Sequence, residues 1–328
     1  MLRIAVLMGG LSGEREVSMS SGNAVADALV ELGYDVLRVD IDQDVLGKMA
    51  EIKDNVDAAF ITLHGRLGED GTIQGFLEMI GMPYTGSGVM ASSMAMNKIM
   101  SKQIFRANAI PVADDTVVTS SEVDVIGMRR VAEGVSLDLG FPCIVKPNCE
   151  GSTLGADKAR NLGELEEAIE RALAYDELLI VERFIEGREM TVGLLGDEPM
   201  VLPVLEVVAS KGVYDYECKY TKGMTDYIVP APISDELGRE LRRLALKAHA
   251  ALECEGFSRV DFMMDADARI FCLEVNTIPG MTELSLIPKA ATAAGLSFPE
   301  VVEIILQTAR LKVCRGKECH EDETGKEA

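Results

Sequence analysis

Short apolar runs that lead one after another into stretches of helical periodicity constrain this chain more than any other feature. Leu2–Met8 ends at Gly9-Gly10 and is followed by an amphipathic stretch from Val17 to Leu32, which Gly33 ends. Val36–Asp40 and Ala58–Leu63 read as a second and a third strand, and the glycine-rich loop Gly65–Gly71 opens a helix over Ile73–Ile80. Strands separated by helices pair in parallel, because a crossover helix brings the chain back to start the next strand in the same direction. Residues 1–97 are therefore expected to form an open parallel α/β unit. Its ligand loops belong at the carboxyl ends of strands, where Gly9-Gly10 and His64-Gly65 fall.

The pattern then changes. Residues 98–185 hold a short strand, Cys143–Lys146, a glycine-bearing turn, a polar helix over Leu162–Tyr175 and a strand over Leu178–Glu182. Residues 186–312 alternate strands with one long amphipathic helix, Asp235–Leu252, and end in neighbouring strands, Ser258–Asp265 and Ile270–Glu274, joined by an Asp-Ala-Asp-Ala turn. Residues 313–328 are charged, lack apolar periodicity and are expected to be disordered. At 328 residues the chain exceeds one typical domain, in keeping with these three units. A net charge of -22 argues against a nucleic-acid partner, since backbone phosphates need clustered Lys and Arg. It does not exclude a nucleotide, which a few placed cations can hold. No uncharged apolar run approaches the roughly 18 residues of a membrane span. The chain opens directly on a strand-like segment, so no targeting peptide is expected, and no membrane partner is expected either. Its seven irregularly spaced cysteines are expected to be reduced thiols of a cytoplasmic protein.

Three patterns imitate sites. Gly86-Ser-Gly88-Val-Met-Ala91 has dinucleotide-fingerprint spacing, yet only the short Pro83–Thr85 precedes it, and Arg106-Ala-Asn108 stands where the ribose-binding acid belongs. Cys314, Cys319 and His320 lie in the polar tail with no second ligand pair. His249 falls inside an amphipathic helix and reads as a packing or surface residue.

The chemistry concentrates in Arg259-Val-Asp261 and Glu274-Val-Asn276-Thr-Ile-Pro-Gly280. Residues two apart in a strand face one side, so Arg259 projects with Asp261, and Glu274 with Asn276. Two carboxylates and an amide oxygen on adjacent strands suit Mg²⁺ beside nucleotide phosphates. The alternative, scattered charges on surface strands, explains less well why both acids sit among Val, Phe, Leu and Met, where an unpaired charge is costly. Lys146 ends the apolar strand Phe141–Val145, and Gly151-Ser-Thr-Leu-Gly155 is a small-residue loop whose N–H groups can fold over a polyphosphate. Lys98 opens the second unit.

Taken together, the strand-borne lysine, this loop, Glu182 to Glu189, Arg259-x-Asp261 and Glu274-x-Asn276 resemble an ATP-grasp ligase. More narrowly, Gly9-Gly10-x-Ser12-x-Glu14-Arg-Glu-Val-Ser18 resembles the D-alanine–D-alanine ligase family. So do His64-Gly65-x-x-Gly68-Glu-Asp-Gly71-x-x-Gln74-Gly75, Tyr84-Thr-Gly-Ser-Gly88 and Asn276-Thr-x-Pro-Gly-Met-Thr, in the same order from Leu2 to Lys312. The resemblance implies an α/β chain in which the N-terminal open parallel domain precedes a two-subdomain ATP-grasp fold. It implies ATP-dependent joining of two D-alanines through an acyl phosphate, for peptidoglycan precursors, with ADP and phosphate released. Lys98, Lys146, Lys219 and the Ser152 loop would contact ATP phosphates, Glu182 the adenine and Glu189 the ribose. Asp261, Glu274 and Asn276 would hold a pair of Mg²⁺ ions, for which Mn²⁺ can substitute. Glu14 and His64 would hold the first D-alanine, and Ser285 with Leu286 the carboxylate of the second. Arg259 and the Gly280 N–H would face the oxyanion. Glu14, Ser152 and Tyr220 would form a triad that tethers a mobile loop, and a homodimer is expected. Cys149 and Thr153 depart from residues common in the phosphate loop of this family. A D-alanine–D-lactate ligase is disfavoured by the retained Lys219-Tyr220, a glutathione synthetase by the Glu14 and Tyr220 segments. An inactive nucleotide sensor is disfavoured because every matching position holds a competent residue.

Overall fold

A computed structural model describes residues 1–151, 154–209, 225–283 and 285–313. The first sheet is three-stranded and wholly parallel, in the order β2 (Asp35–Ile41), β1 (Arg3–Gly9), β3 (Ala58–Ile61). Helix α1 (Arg15–Glu31) and helix α2 (Val45–Ile52) connect these strands, and α3 (Thr72–Met79) and α4 (Val89–Met96) follow them. Because the chain leaves β1 toward β2 on one side and β3 lies on the other, a crevice opens at their carboxyl ends. Gly22 lets α1 approach this sheet: a Cβ there would stand 2.4 Å from Cβ of Met8.

A four-stranded antiparallel sheet follows α5 (Lys98–Ala107), with the order β4 (Asp115–Thr119), β7 (Leu178–Arg183), β5 (Cys143–Pro147), β6 (Asp157–Ala159). The helices α6 (Ser120–Ile126), α7 (Met128–Leu139) and α8 (Leu162–Ala172) accompany it. The third sheet is also antiparallel, ordered β11 (Thr225–Ile228), β10 (Leu205–Ala209), β8 (Gly187–Leu195), β12 (Phe257–Asp265), β13 (Ile270–Asn276), with β9 (Met200–Val201) paired to β8. Helix α9 (Asp235–Ala251) packs on it, and α10 (Leu286–Ala293) and α11 (Phe298–Leu306) complete the described helices.

The sequence boundaries at 97/98 and 185/186 fall between elements, but apolar cores cross them. Phe105 and Ile110, from the start of the expected second unit, are buried with Met190, Val192, Leu241 and Val260 of the third. Ile287, Val301 and Ile305 of α10 and α11 join the core of the first sheet. Among the described residues, only the second sheet, with α7 and α8, keeps a core of its own. Helix bounds differ from expectation by a residue or two, except that the polar helix stops at Ala172, short of the expected Tyr175. Its last residues form a turn, as frayed helix ends commonly do.

Candidate active site

Two adjoining cavities are built at the meeting of the three sheets. The larger, of about 680 Å³, lies in the crevice of the first sheet and faces β12, β13 and the start of α10. Glu14 sits at the N-terminal end of α1 and His64 just past β3, so adjacent strand ends deliver both. Ser12 fixes this junction: its hydroxyl donates to the His64 carbonyl at 2.6 Å and accepts from the Glu14 N–H at 3.2 Å. His64 is buried, with Nδ1 3.8 Å from Glu69 Oε1, while Glu69 Oε2 accepts the Gly65 N–H at 2.6 Å. Burial pulls the imidazole pKa down, but Glu69, the charge of Glu14 and the Ile278 backbone together raise it above its ordinary value. An imidazole beside a buried glutamate can receive one zwitterion: the ring, when protonated, takes a carboxylate and Glu14 an ammonium.

The facing wall comes from the paired strands β12 and β13. Arg259 lies opposite Asn276, and Asp261 opposite Glu274. The side chains of Arg259 and Asp261 do share a face. Arg259 binds the carboxylate through Nε at 2.9 Å and a terminal nitrogen at 2.6 Å, and Thr191 donates to Asp261 Oδ1 at 2.5 Å. This bidentate pair is mostly buried and fixes the guanidinium plane. Asn276 Oδ1 accepts the Ile278 N–H at 3.0 Å, which turns the chain toward Gly280. Ser285 precedes α10 and Leu286 is its first residue. Ser285 accepts from the Thr282 N–H at 3.0 Å. The opening N–H groups of a helix have no intrahelical partner and favour a carboxylate.

The smaller cavity, of about 310 Å³, lies between β5, β7, β8 and β13. Lys146 donates to Glu182 Oε2 at 3.1 Å. Burial would raise the Glu182 carboxyl, yet Lys146 and Lys102 hold it at about 2. Burial likewise works against the Lys146 ammonium, and the charges of Glu182, Glu274 and Glu189 outweigh it and raise its pKa. Lys98, Glu150 and Glu274 line both cavities and form their common wall. Lys98 donates to the Glu150 carbonyl at 2.6 Å and stands 3.9 Å from Glu274. Arg66, from the loop that carries His64, binds the Glu150 carboxylate at 2.6 Å, tying the loop of one sheet to that of another.

Glu14, His64, Arg259, Asn276, Gly280, Ser285 and Leu286 thus line the larger cavity. Lys146, Glu182, Glu189 and Asp261 line the smaller, and Lys98 and Glu274 belong to both. Ser152, Thr153, Lys219 and Tyr220 lie outside the described residues, as do Cys314, Cys319 and His320. Asp261, Glu274 and Asn276 offer hard oxygens on one side of a strand pair, a donor set that fits Mg²⁺. Among the described residues no group of three or more His, Cys, Asp and Glu side chains forms a metal cluster. Sequence reasoning singled out neither Glu69, Glu150, Thr191 nor Lys102. Glu69 stood within a quoted motif, but only the fold brings it to His64.

Two of the three imitating patterns fall within the described residues, while Cys314, Cys319 and His320 lie outside them. Gly88 precedes α4 and Gly86 packs on the Phe257 ring, 3.2 Å from a would-be Cβ, so these glycines serve close packing. His249 is a buried packing residue bonded to Ser258 at 2.7 Å. Four described cysteines, Cys143, Cys149, Cys254 and Cys272, are free thiols. No helix among the described residues is long and apolar enough to cross a membrane.

Comparison with known proteins agrees along nearly the whole chain. Residues 104–307 match the family described as D-ala D-ala ligase C-terminus, and residues 44–87 the one described as D-ala D-ala ligase N-terminus. A D-alanine–D-alanine ligase of Desulforamulus reducens is 45% identical over 311 residues, covering 94% of this chain and 98% of the relative. Among solved structures, the Bacillus anthracis D-alanine–D-alanine ligase complexed with ATP has a TM-score of 0.79 at 31% identity, covering 94% of this chain and 97% of that one. The VanG D-Ala:D-Ser ligase of Enterococcus faecalis has a TM-score of 0.81 at 30% identity, covering 94% and 99%.

Proposed function

The chain belongs to the D-alanine–D-alanine ligase family, and on that premise we propose that its two cavities hold the first D-alanine and ATP on either side of one shared wall. The enzyme is an ATP-dependent ligase that joins two D-alanines for peptidoglycan synthesis. The observation that carries the division of labour is the wall of Lys98, Glu150 and Glu274, common to both cavities. A phosphoryl group passing from one substrate to the other must cross there.

His64 and Glu14 hold the zwitterion of the first D-alanine with its carboxylate toward that wall. A carboxylate oxygen attacks the γ-phosphorus, the bond to the β–γ bridging oxygen breaks, and ADP leaves. Lys98 and Lys146 neutralise the migrating charge, and Glu182 and Glu189 fix the nucleoside. Asp261, Glu274 and Asn276 would hold Mg²⁺, which would neutralise phosphate charge as it develops. The second D-alanine sits with its carboxylate at Ser285 and Leu286, on the N-terminus of α10. Its neutral amine attacks the acyl carbon, and Arg259 with the Gly280 N–H faces the oxyanion that forms. Collapse expels phosphate and the amine loses a proton, leaving the peptide bond. Ser152, Lys219 and Tyr220 keep the roles that family membership implies for them, as part of the same proposal.

The test is isotopic. D-alanine with ¹⁸O in its carboxylate passes one labelled oxygen to the released phosphate if the acyl phosphate forms. Unlabelled phosphate accompanied by dipeptide would rule that intermediate out.

A further inference from the structure

Lys102 is the most deeply buried charged side chain among the described residues, at 1% exposure. It lies on α5 one turn beyond Lys98, but lines neither cavity and reaches into the junction of α5 with the second sheet. There its Nζ stands 3.0 Å from Glu182 Oε1 and 3.6 Å from Asp115 Oδ2. Asp115 is the register partner of Glu182 on β4 and is itself paired to Arg106. Glu182 Oε2 meets Lys146 on the cavity side. The carboxylate is therefore flanked by two lysines, hydrogen-bonded to Lys146 and in ion-pair contact with Lys102, whose Nζ has no hydrogen-bond partner among the described residues.

Such a buried ammonium is costly. Desolvation pulls the Lys102 pKa down, and an apolar side chain of similar volume would usually serve packing at least as well. What the cation does achieve is to keep Glu182 ionised and immobile. A carboxylate offers about four lone-pair directions, so the two lysines leave acceptor capacity toward the cavity. We propose that Lys102 is a positioning residue for the nucleotide base: it clamps Glu182 so that the carboxylate accepts from the exocyclic amine of adenine, and so sets adenine over guanine. At the corresponding position guanine carries a carbonyl oxygen, an acceptor facing an acceptor. A site built around one hydrogen-bonding pattern rejects its inverse strongly, because a buried polar group is left unpaired. The inference rests on reading the smaller cavity as the nucleotide site.

The test compares Lys102→Met, Glu182→Gln and the double variant, each checked for folding by thermal melting, with ATP and GTP as donors. Lys102→Met is expected to raise KM for ATP about tenfold, change kcat by less than about twofold and leave KM for D-alanine unaltered. Its ATP-over-GTP ratio in kcat/KM should fall about tenfold or more, and the double variant should be no worse than Glu182→Gln alone, since Lys102 acts through Glu182. If Lys102→Met does not fold, Lys102→Gln takes its place in the same comparison. Unchanged nucleotide KM and unchanged ATP-over-GTP ratio, in the presence of an impaired Glu182→Gln, would overturn the inference. Additive losses in the double variant would do the same. Unchanged ATP affinity in Glu182→Gln itself would instead overturn the nucleotide-site reading.

Discussion

His249 makes the stability of this enzyme depend on pH in a way whose size follows from its surroundings. The ring lies on α9 at 4% exposure, with Nδ1 2.7 Å from the Ser258 hydroxyl. Burial drives its pKa from 6.5 down to about 4, against a small opposing push from Glu255. The folded protein thus holds the ring neutral where the unfolded chain would protonate it. The stabilisation is complete above pH 6.5 and is lost as pH falls toward about 4. At ~1.36 kcal/mol per pKa unit, the loss between about pH 7 and about pH 5 is roughly 2 kcal/mol. His249→Gln keeps an amide to bond Ser258 and removes the titration. Chemical unfolding of both proteins at the two pH values, each referred to its own value near neutrality, isolates the effect. The wild type should lose roughly 2 kcal/mol more than the variant on acidification. Parallel losses would show that the ring is not held neutral and refute the argument.

Three further outcomes bear on the site. Glu274→Gln, which removes a charge from the wall shared by both cavities, should lower turnover by orders of magnitude at ordinary Mg²⁺ while the melting temperature holds; near-normal turnover would refute the metal role. Gly151→Ala puts a Cβ 2.8 Å from Glu14 Oε2, so the carboxylate must move and KM for the first D-alanine should rise several-fold with little change in stability; an unchanged KM would separate Glu14 from that subsite. Glu69→Gln removes the strongest of the groups that raise the His64 pKa, leaving burial opposed only by Glu14 and the Ile278 backbone, so the pKa should fall. KM for the first D-alanine should then rise at neutral pH and recover as pH falls and the ring regains its proton, a profile read from initial rates; a pH-independent KM would refute the pairing.

What the sequence disclosed was whatever a local pattern encodes. The parallel unit was legible because β1 and β3 are unbroken apolar runs that end in glycine-rich loops. The facing acids were legible because Arg259-x-Asp261 and Glu274-x-Asn276 obey the period of a strand, and the register sets Asp261 opposite Glu274. Long-range packing was not. Nothing near Ile287 or Val301 signals that they bury against the first sheet, nor near Phe105 that it completes the core of the third. Lys102, four residues after Lys98 on a helix, reads as a surface charge. It is the meeting of α5 with β4 and β7 that buries it against Glu182. Arg66 and Glu150 are likewise ordinary loop charges until two sheets bring them to 2.6 Å.

The central claim, that the two cavities join two D-alanines at the expense of ATP, is tested most directly by scoring ADP and D-alanyl-D-alanine together. D-alanine alone, L-alanine alone, and D-alanine mixed with an equal amount of D-serine or D-lactate are supplied in turn to the purified enzyme with ATP and Mg²⁺. The account predicts ADP and dipeptide in equal amounts with D-alanine, and little of either with L-alanine. ATP consumed without D-alanyl-D-alanine, or an equal yield from D-lactate, would contradict it.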